Sequence, residues 1–179
     1  MSSTTPQETI DAAIRFHGHH CPGLTIGIRA VELARRELGD LDGLDLVAVA
    51  ETDMCGVDAI QFLTDCTFGK GNFIHRDYGK KAFSFFDRKT GRGFRALLRE
   101  TGQPLPGDDR LAAIRHFMDL DLDDMFTVTQ ATCPPPRPAA VLESLPCARC
   151  GEMTMESRTR RFAGKTYCIP CFAEIDQKL

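Results

Sequence analysis

The sequence has no apolar run near the roughly 18 residues needed to span a bilayer; the longest resemble Leu46–Ala50. A membrane partner is therefore not expected. The first fifteen residues show no basic stretch followed by an apolar one, so no secretory signal is read there. Net charge is small, with 22 Lys and Arg against 25 Asp and Glu, a formal −3. With a sequence pI near 5.9, this argues against nucleic acid as the partner of the whole chain. Nor is there low complexity: 42% hydrophobic and 26% charged residues exclude a chain disordered throughout.

Cysteine, by contrast, is abundant. Eight in 179 residues, without a secretory signal, point to metal ligands or reactive thiols in a reducing cytoplasm rather than to disulfides. Cys21, Cys55, Cys66 and Cys133 are scattered, whereas Cys147, Cys150, Cys168 and Cys171 form two Cys-x-x-Cys pairs. Seventeen residues separate the pairs, inside the window for a four-cysteine zinc site. Each pair bites one ion from a tight knuckle, and two knuckles complete a tetrahedron. Zinc is the expected metal here, with iron the minor alternative.

Five of the ten prolines fall in residues 131–146, which break any helix or central strand and read as a linker. The expected organisation is a core domain at 1–130 and a zinc finger at 147–179. Residues 144–179 hold 6 Lys and Arg against 4 Asp and Glu, whereas residues 1–143 hold 16 against 21. The finger is thus basic and the rest acidic.

Periodicity and punctuation predict core helices at Gln7–Phe16, Leu24–Leu38, Gly56–Thr64 and Asp108–Met118. Strands are expected at Leu46–Ala50, Phe73–His75, Lys81–Asp87, Gly93–Leu98 and Phe126–Ala131, with a hairpin turn at Lys89-Thr90-Gly91. In the tail, Met155–Arg161 and Lys165–Tyr167 read as a hairpin and Phe172–Lys178 as a helix, a treble-clef-like order. The fold class is α+β, a mixed helix and antiparallel-sheet core plus a small zinc finger.

Three core segments carry chemistry. FHGHHCPG places His17, His19, His20 and Cys21 just before a helix whose first turn suits Pro22. A helix N-terminus favours a thiolate at Cys21, and His17 and His19 can point to one side of an extended loop. Sulfur and imidazole together suit Zn, Ni or Fe. ETDMCGVDAIQ puts Cys55 before a helix containing Asp58 and Gln61. CTFGKGN sets Lys70 between two glycines, a loop able to present cationic and N–H groups to an anion.

In this order, and with DYGKKAF, these motifs resemble the family named for the E subunit of formylmethanofuran dehydrogenase, over about residues 10–130. The resemblance implies an α+β core that is often a homodimer, at times with a C-terminal zinc finger. It also implies that His17, His19, Cys21, Cys55, Cys66, Lys70 and Asn72 gather around one metal-binding cleft. Asp65 stands where the family usually has glycine. The cysteines are not spaced as in ferredoxins, and 19.8 kDa is small for a catalytic subunit that binds a pterin.

The expected function is a metal-binding, thiol-dependent accessory protein or small enzyme, associated with redox or one-carbon enzyme subunits. Cys21 and Cys55 would be ligands or nucleophile, His17 and His19 ligands or proton carriers, and Lys70 an anion contact. Cys21, His19, Cys55 and Lys70 are the catalytic candidates. The alternatives are an interaction or regulatory protein working through the finger, and a metal chaperone.

Overall fold

The computed structural model describes residues 3–99, 109–131 and 135–175. Cys133 and the N-terminal residue of the Asp108–Met118 helix lie outside them. Two compact units emerge, Met1–Ala139 and Ala140–Leu179. Of the proline-rich stretch, residues 135–139 belong to the first unit, where Arg88 Nε donates to the Pro136 carbonyl at 2.7 Å. Ser144–Pro146 forms a strand of the second.

In the first unit, helix α1 (Gln7–His17) follows Pro6 and stops at Gly18, whose φ of 94° is left-handed. Helix α2 (Pro22–Leu38) begins two residues earlier than expected, because Pro22 is itself the first helical residue. Every residue from Leu24 to Ala34 on α2 is buried. Arg29 and Glu32 among them form an ion pair. Glu32 also accepts the Thr5 N–H at 2.9 Å and the Thr5 hydroxyl at 2.7 Å, and Arg29 donates to the Leu120 carbonyl. This buried pair ties the N-terminal segment and the end of α4 (Arg110–Asp119) to the central helix.

Strands β1 (Leu46–Ala50), β2 (Phe73–His75), β3 (Ala82–Asp87), β4 (Gly93–Leu98) and β5 (Phe126–Gln130) form one sheet in the order β2-β1-β3-β4-β5. Between β1 and β2 runs α3 (Gly56–Thr64); a short helix α5 (Leu122–Met125) precedes β5. Three of the four strand pairs are antiparallel, as expected. The fourth, β1 with β2, is parallel, so the sheet is mixed. Parallel neighbours require a crossover, and α3 supplies it.

One sheet face packs Ala48, Phe83, Phe85, Phe94 and Phe126 against Ile26, Leu33, Ile60 and Phe117 of the helices. The other buries Val47, Val49 and Phe86. Burial on both faces explains why LVAVA and AFSFFD read as continuous runs rather than alternating ones. At about 1.5–3 kcal/mol for each fully buried large apolar side chain, these contacts dominate the stability of the unit.

In the second unit, β6 (Ser144–Pro146) pairs with β7 (Met153–Met155), and β8 (Thr159–Phe162) pairs with β9 (Lys165–Cys168). Helix α6 (Ile169–Ala173) follows. The expected strand Met155–Arg161 is split by a 3-10 turn at Glu156–Arg158, where the Thr159 hydroxyl bonds the Glu156 carbonyl at 2.7 Å. The expected helix at Phe172–Lys178 instead starts at Ile169, since Pro170 belongs in a first helical turn. Residues 176–178 of that expectation lie outside the described residues. Ala163 and Gly164 both have positive φ at the tip of the β8–β9 hairpin, a tight turn that matches the strand twist. No helix among the described residues is long and apolar enough to cross a membrane.

Candidate metal centre

Two sets of side chains each bring four ligating atoms within 4.8 Å of one another. The first consists of Cys147, Cys150, Cys168 and Cys171. The β6–β7 hairpin carries the first knuckle: the Cys147 N–H bonds the Glu152 carbonyl at 2.9 Å, and Gly151 turns back to Cys147 with φ 77°. The junction of β9 and α6 carries the second. Cys150 and Cys168 sulfurs are 4.0 Å apart, close to the edge of about 3.8 Å in a tetrahedron with Zn–S bonds of about 2.3 Å. Backbone N–H groups of Cys150, Cys168 and Arg149 lower the Cys147 thiol to about 6. Cys171, hydrogen-bonded to Cys168, is pushed up to about 12. An all-thiolate donor set suits zinc, which takes such ligands deprotonated.

The second set, His17, His19, Cys21 and Cys55, is assembled from three helix ends. His17 is the last residue of α1. Gly18 then turns the chain, and His19 follows in the short loop. Cys21 caps α2, its sulfur accepting the Leu24 N–H at 3.3 Å. Cys55 immediately precedes α3, beyond the carboxyl end of β1. A site outside the carboxyl end of a strand in a parallel pair is where α/β crossovers commonly place ligands.

Close helix contact brings Cys55 to the others. A Cβ added at Gly27 would lie 2.2 Å from the Gly56 carbonyl oxygen, so α2 and α3 meet backbone to backbone. The His17 Nε2 is 3.9 Å from the Cys21 sulfur, and the rings of His17 and His19 have centroids 4.5 Å apart. Bonds of about 2.0–2.3 Å to one tetrahedral ion would separate such donors by about 3.3–3.8 Å. Geometry and donor chemistry fit a borderline metal. Burial and the neighbouring Cys21 raise the Cys55 thiol, so an unmetallated Cys55 is held as the neutral thiol.

In the sequence Asp58 stands out only as a residue of the following helix. In the fold its Oδ2 lies 2.7 Å from His17 Nδ1, on the ring edge opposite the ligating nitrogen. Such a carboxylate fixes the tautomer that leaves Nε2 free for a metal. The signal available in the sequence is its place three residues after Cys55. His20 is kept out of the set, because its Nε2 is engaged by the Thr25 hydroxyl at 3.1 Å.

Lys70, Cys66 and Asn72 are not brought to this set. Cys66 is fully buried, 3.5 Å from the Leu46 carbonyl, to which Asn72 Nδ2 also donates. Burial raises the Cys66 thiol. Lys70 donates to the Asp65 carbonyl at 3.0 Å, at the C-terminus of α3. It lines a separate cavity of about 440 Å³ with Asp42, Asp45 and Asp65. The reason is helix length: nine residues at about 1.5 Å each put the two ends of α3 about 13 Å apart. The single cleft of seven residues implied by the resemblance is therefore not formed within this chain. Asp65 adopts a left-handed φ of 56°, the conformation for which glycine is the unstrained choice.

Residues 16–127 match the family model described as FmdE, Molybdenum formylmethanofuran dehydrogenase operon. Residues 142–177 match the prokaryotic dksA/traR C4-type zinc finger. A crystal structure from Syntrophus aciditrophicus, of a protein like the E subunit (FmdE) of tungsten formylmethanofuran dehydrogenase, is similar, with a TM-score of 0.71 and 26% identity. The match covers 93% of this chain and 91% of that one. A probable S-adenosyl-L-methionine-binding protein from Archaeoglobus fulgidus is 26% identical over 88% of this chain. A glutamyl-tRNA reductase from Pelobacter propionicus is 34% identical over 35% of it. The chain spans about half the length of the Archaeoglobus protein, 53%, and 16% of the reductase. With its four-cysteine finger following a core matched over most of its length, the chain belongs to the FmdE family.

Proposed function

We propose that this protein is a thiol-dependent accessory protein or small enzyme of redox or one-carbon metabolism, working through a metal held by His17, His19, Cys21 and Cys55. The observation that carries this reading is the convergence of those four ligating atoms within 4.8 Å, backed by Asp58 on His17. A bound ion there would supply Lewis acidity and stabilise thiolates. His17, held by Asp58, would stay a fixed ligand. His19, the exposed member, would be the one to exchange or carry a proton. The four-cysteine site is the structural one, because a unit of about 40 residues has little apolar surface on which to fold without metal. The descriptions of the FmdE-like protein and of the S-adenosyl-L-methionine-binding relative support a one-carbon setting.

The exposure of His19 favours a second reading, a metal chaperone with a labile core site. A homodimer in the cytoplasm, with protein rather than nucleic acid or membrane as partner, completes the proposal.

The test is thiol reactivity. In metal-free full-length protein, Cys21 should be alkylated, and added Zn or Ni should protect it. Cys55→Ser and His19→Ala should each weaken that protection, and Cys133→Ser should not. Equal protection in every variant would defeat the reading. Core metal exchanging faster than finger metal would favour the chaperone.

A further inference from the structure

The core set pairs its two imidazoles with two cysteines from different helices. Cys21 caps α2 and Cys55 precedes α3, and their sulfurs lie within 4.8 Å. The two helices are in backbone contact at Gly27, six residues after Cys21, and at Gly56, the residue after Cys55. The cysteines are thus held on converging elements. They also differ in access: Cys21 is 5% exposed, whereas Cys55 is only partly buried, beside the exposed His19. A small oxidant would meet the Cys55 sulfur first and leave Cys21 as its resolving partner. Cys66, the other described cysteine of this unit, is fully buried at the far end of α3.

We propose that Cys21 and Cys55 form a hydroperoxide-reactive pair that closes to a disulfide and expels the core metal. This rests on the metal reading above for the expulsion, but not for the disulfide. The Cys55 sulfur, held as a thiolate by the ion or freed by passing its proton to the neighbouring His19, attacks the outer oxygen of ROOH. An S–O bond forms, the O–O bond breaks, and ROH leaves after taking one proton, giving Cys55 sulfenic acid. The Cys21 thiolate then attacks that sulfur. The S–S bond forms, and hydroxide leaves as water after taking a second proton. Two thiolates lose two electrons in all, ROOH is reduced to ROH and water, and the divalent ion is released. A disulfide retains neither anionic sulfur donor, so the two histidines alone would bind the ion far more weakly. A dithiol reductant would reverse the change.

The experiment uses the full chain loaded with zinc under anaerobic conditions. It is treated with about one equivalent of tert-butyl hydroperoxide per chain, an amount set by the one-pair stoichiometry. Released zinc is read with a chromogenic indicator. Cysteine pairing is read by mass spectrometry of non-reduced peptides. The expected result is a peptide linking Cys21 to Cys55 and loss of the core equivalent of zinc, both restored by dithiothreitol and added zinc. In Cys21→Ser the linked peptide should vanish, and dimedone should trap sulfenic acid at Cys55. Core zinc bound at the start with no linked peptide afterwards would overturn the inference while leaving the metal reading intact. Oxidation confined to Cys147, Cys150, Cys168 and Cys171 would overturn it as well. If no core zinc is bound at the start, the metal reading and the expulsion fail together, and the linked peptide decides the thiol pair by itself.

Discussion

Asp58 Oδ2 sits 2.7 Å from His17 Nδ1 and joins the first turn of α3 to the last residue of α1. His17 is nearly buried, with 9% of its side chain exposed, whereas Asp58 is 41% exposed. The carboxylate can therefore be replaced without opening the core. Asp58→Asn should leave the fold intact and weaken metal binding at the core site about 10–100-fold. Competition titration against a chelator checks this. Unchanged affinity would make the contact incidental.

In the finger, Cys168 N–H donates to Cys147 Sγ at 3.3 Å, so the backbone of one knuckle is wrapped on the sulfur of the other. Cys150→Ser should release the finger's zinc and expose residues near 150–165 to limited proteolysis while the first unit stays resistant. Peptide mapping of the digest reads the outcome.

Helix contact at Gly27 gives a third expectation. A methyl group there would press into the Gly56 carbonyl, which is backbone and cannot swing away. Gly27→Ala should destabilise the first unit by about 1–3 kcal/mol or more, read as a lower denaturation midpoint. It should also loosen the core site by moving Cys55 away from Cys21. A neutral Gly27→Ala would mean that the helices separate at little cost.

Glu51 is bound by Arg95 through both carboxylate oxygens, at 2.6 and 2.8 Å. That hydrogen bonding holds its carboxyl below the usual 4.5. Because the folded value is the lower one, the pair's contribution is complete above about pH 4.5 and is lost as pH falls through the folded value. Glu51→Gln should flatten the acid limb of the stability profile, measured by denaturant titration between about pH 3 and 6. An unchanged acid limb would mean that other carboxylates set it.

Much of the core is legible in the sequence because its punctuation is strong. Pro22, Gly18, Gly39 and the Thr90-Gly91 turn mark ends that the backbone obeys. The paired cysteines announce their site through spacing alone. The parallel β1–β2 pair is not legible, since three residues of Phe73–His75 carry no sign of the neighbour they choose. Asp58 escapes notice because a carboxylate in a helix's first turn usually needs no reason beyond the dipole. Lys70 joins the cysteines only through family likeness, whereas the length of α3 decides where it stands.

The central claim, that His17, His19, Cys21 and Cys55 make one metal site in addition to the finger's, is tested most directly by counting ions. Elemental analysis of full-length protein purified anaerobically, with zinc or nickel added back, should give two ions per chain. It should give one in Cys21→Ser, one in Cys150→Ser and none in the double variant. A single ion per chain in the unaltered protein after add-back, undiminished by Cys21→Ser and abolished by Cys150→Ser, would contradict the account.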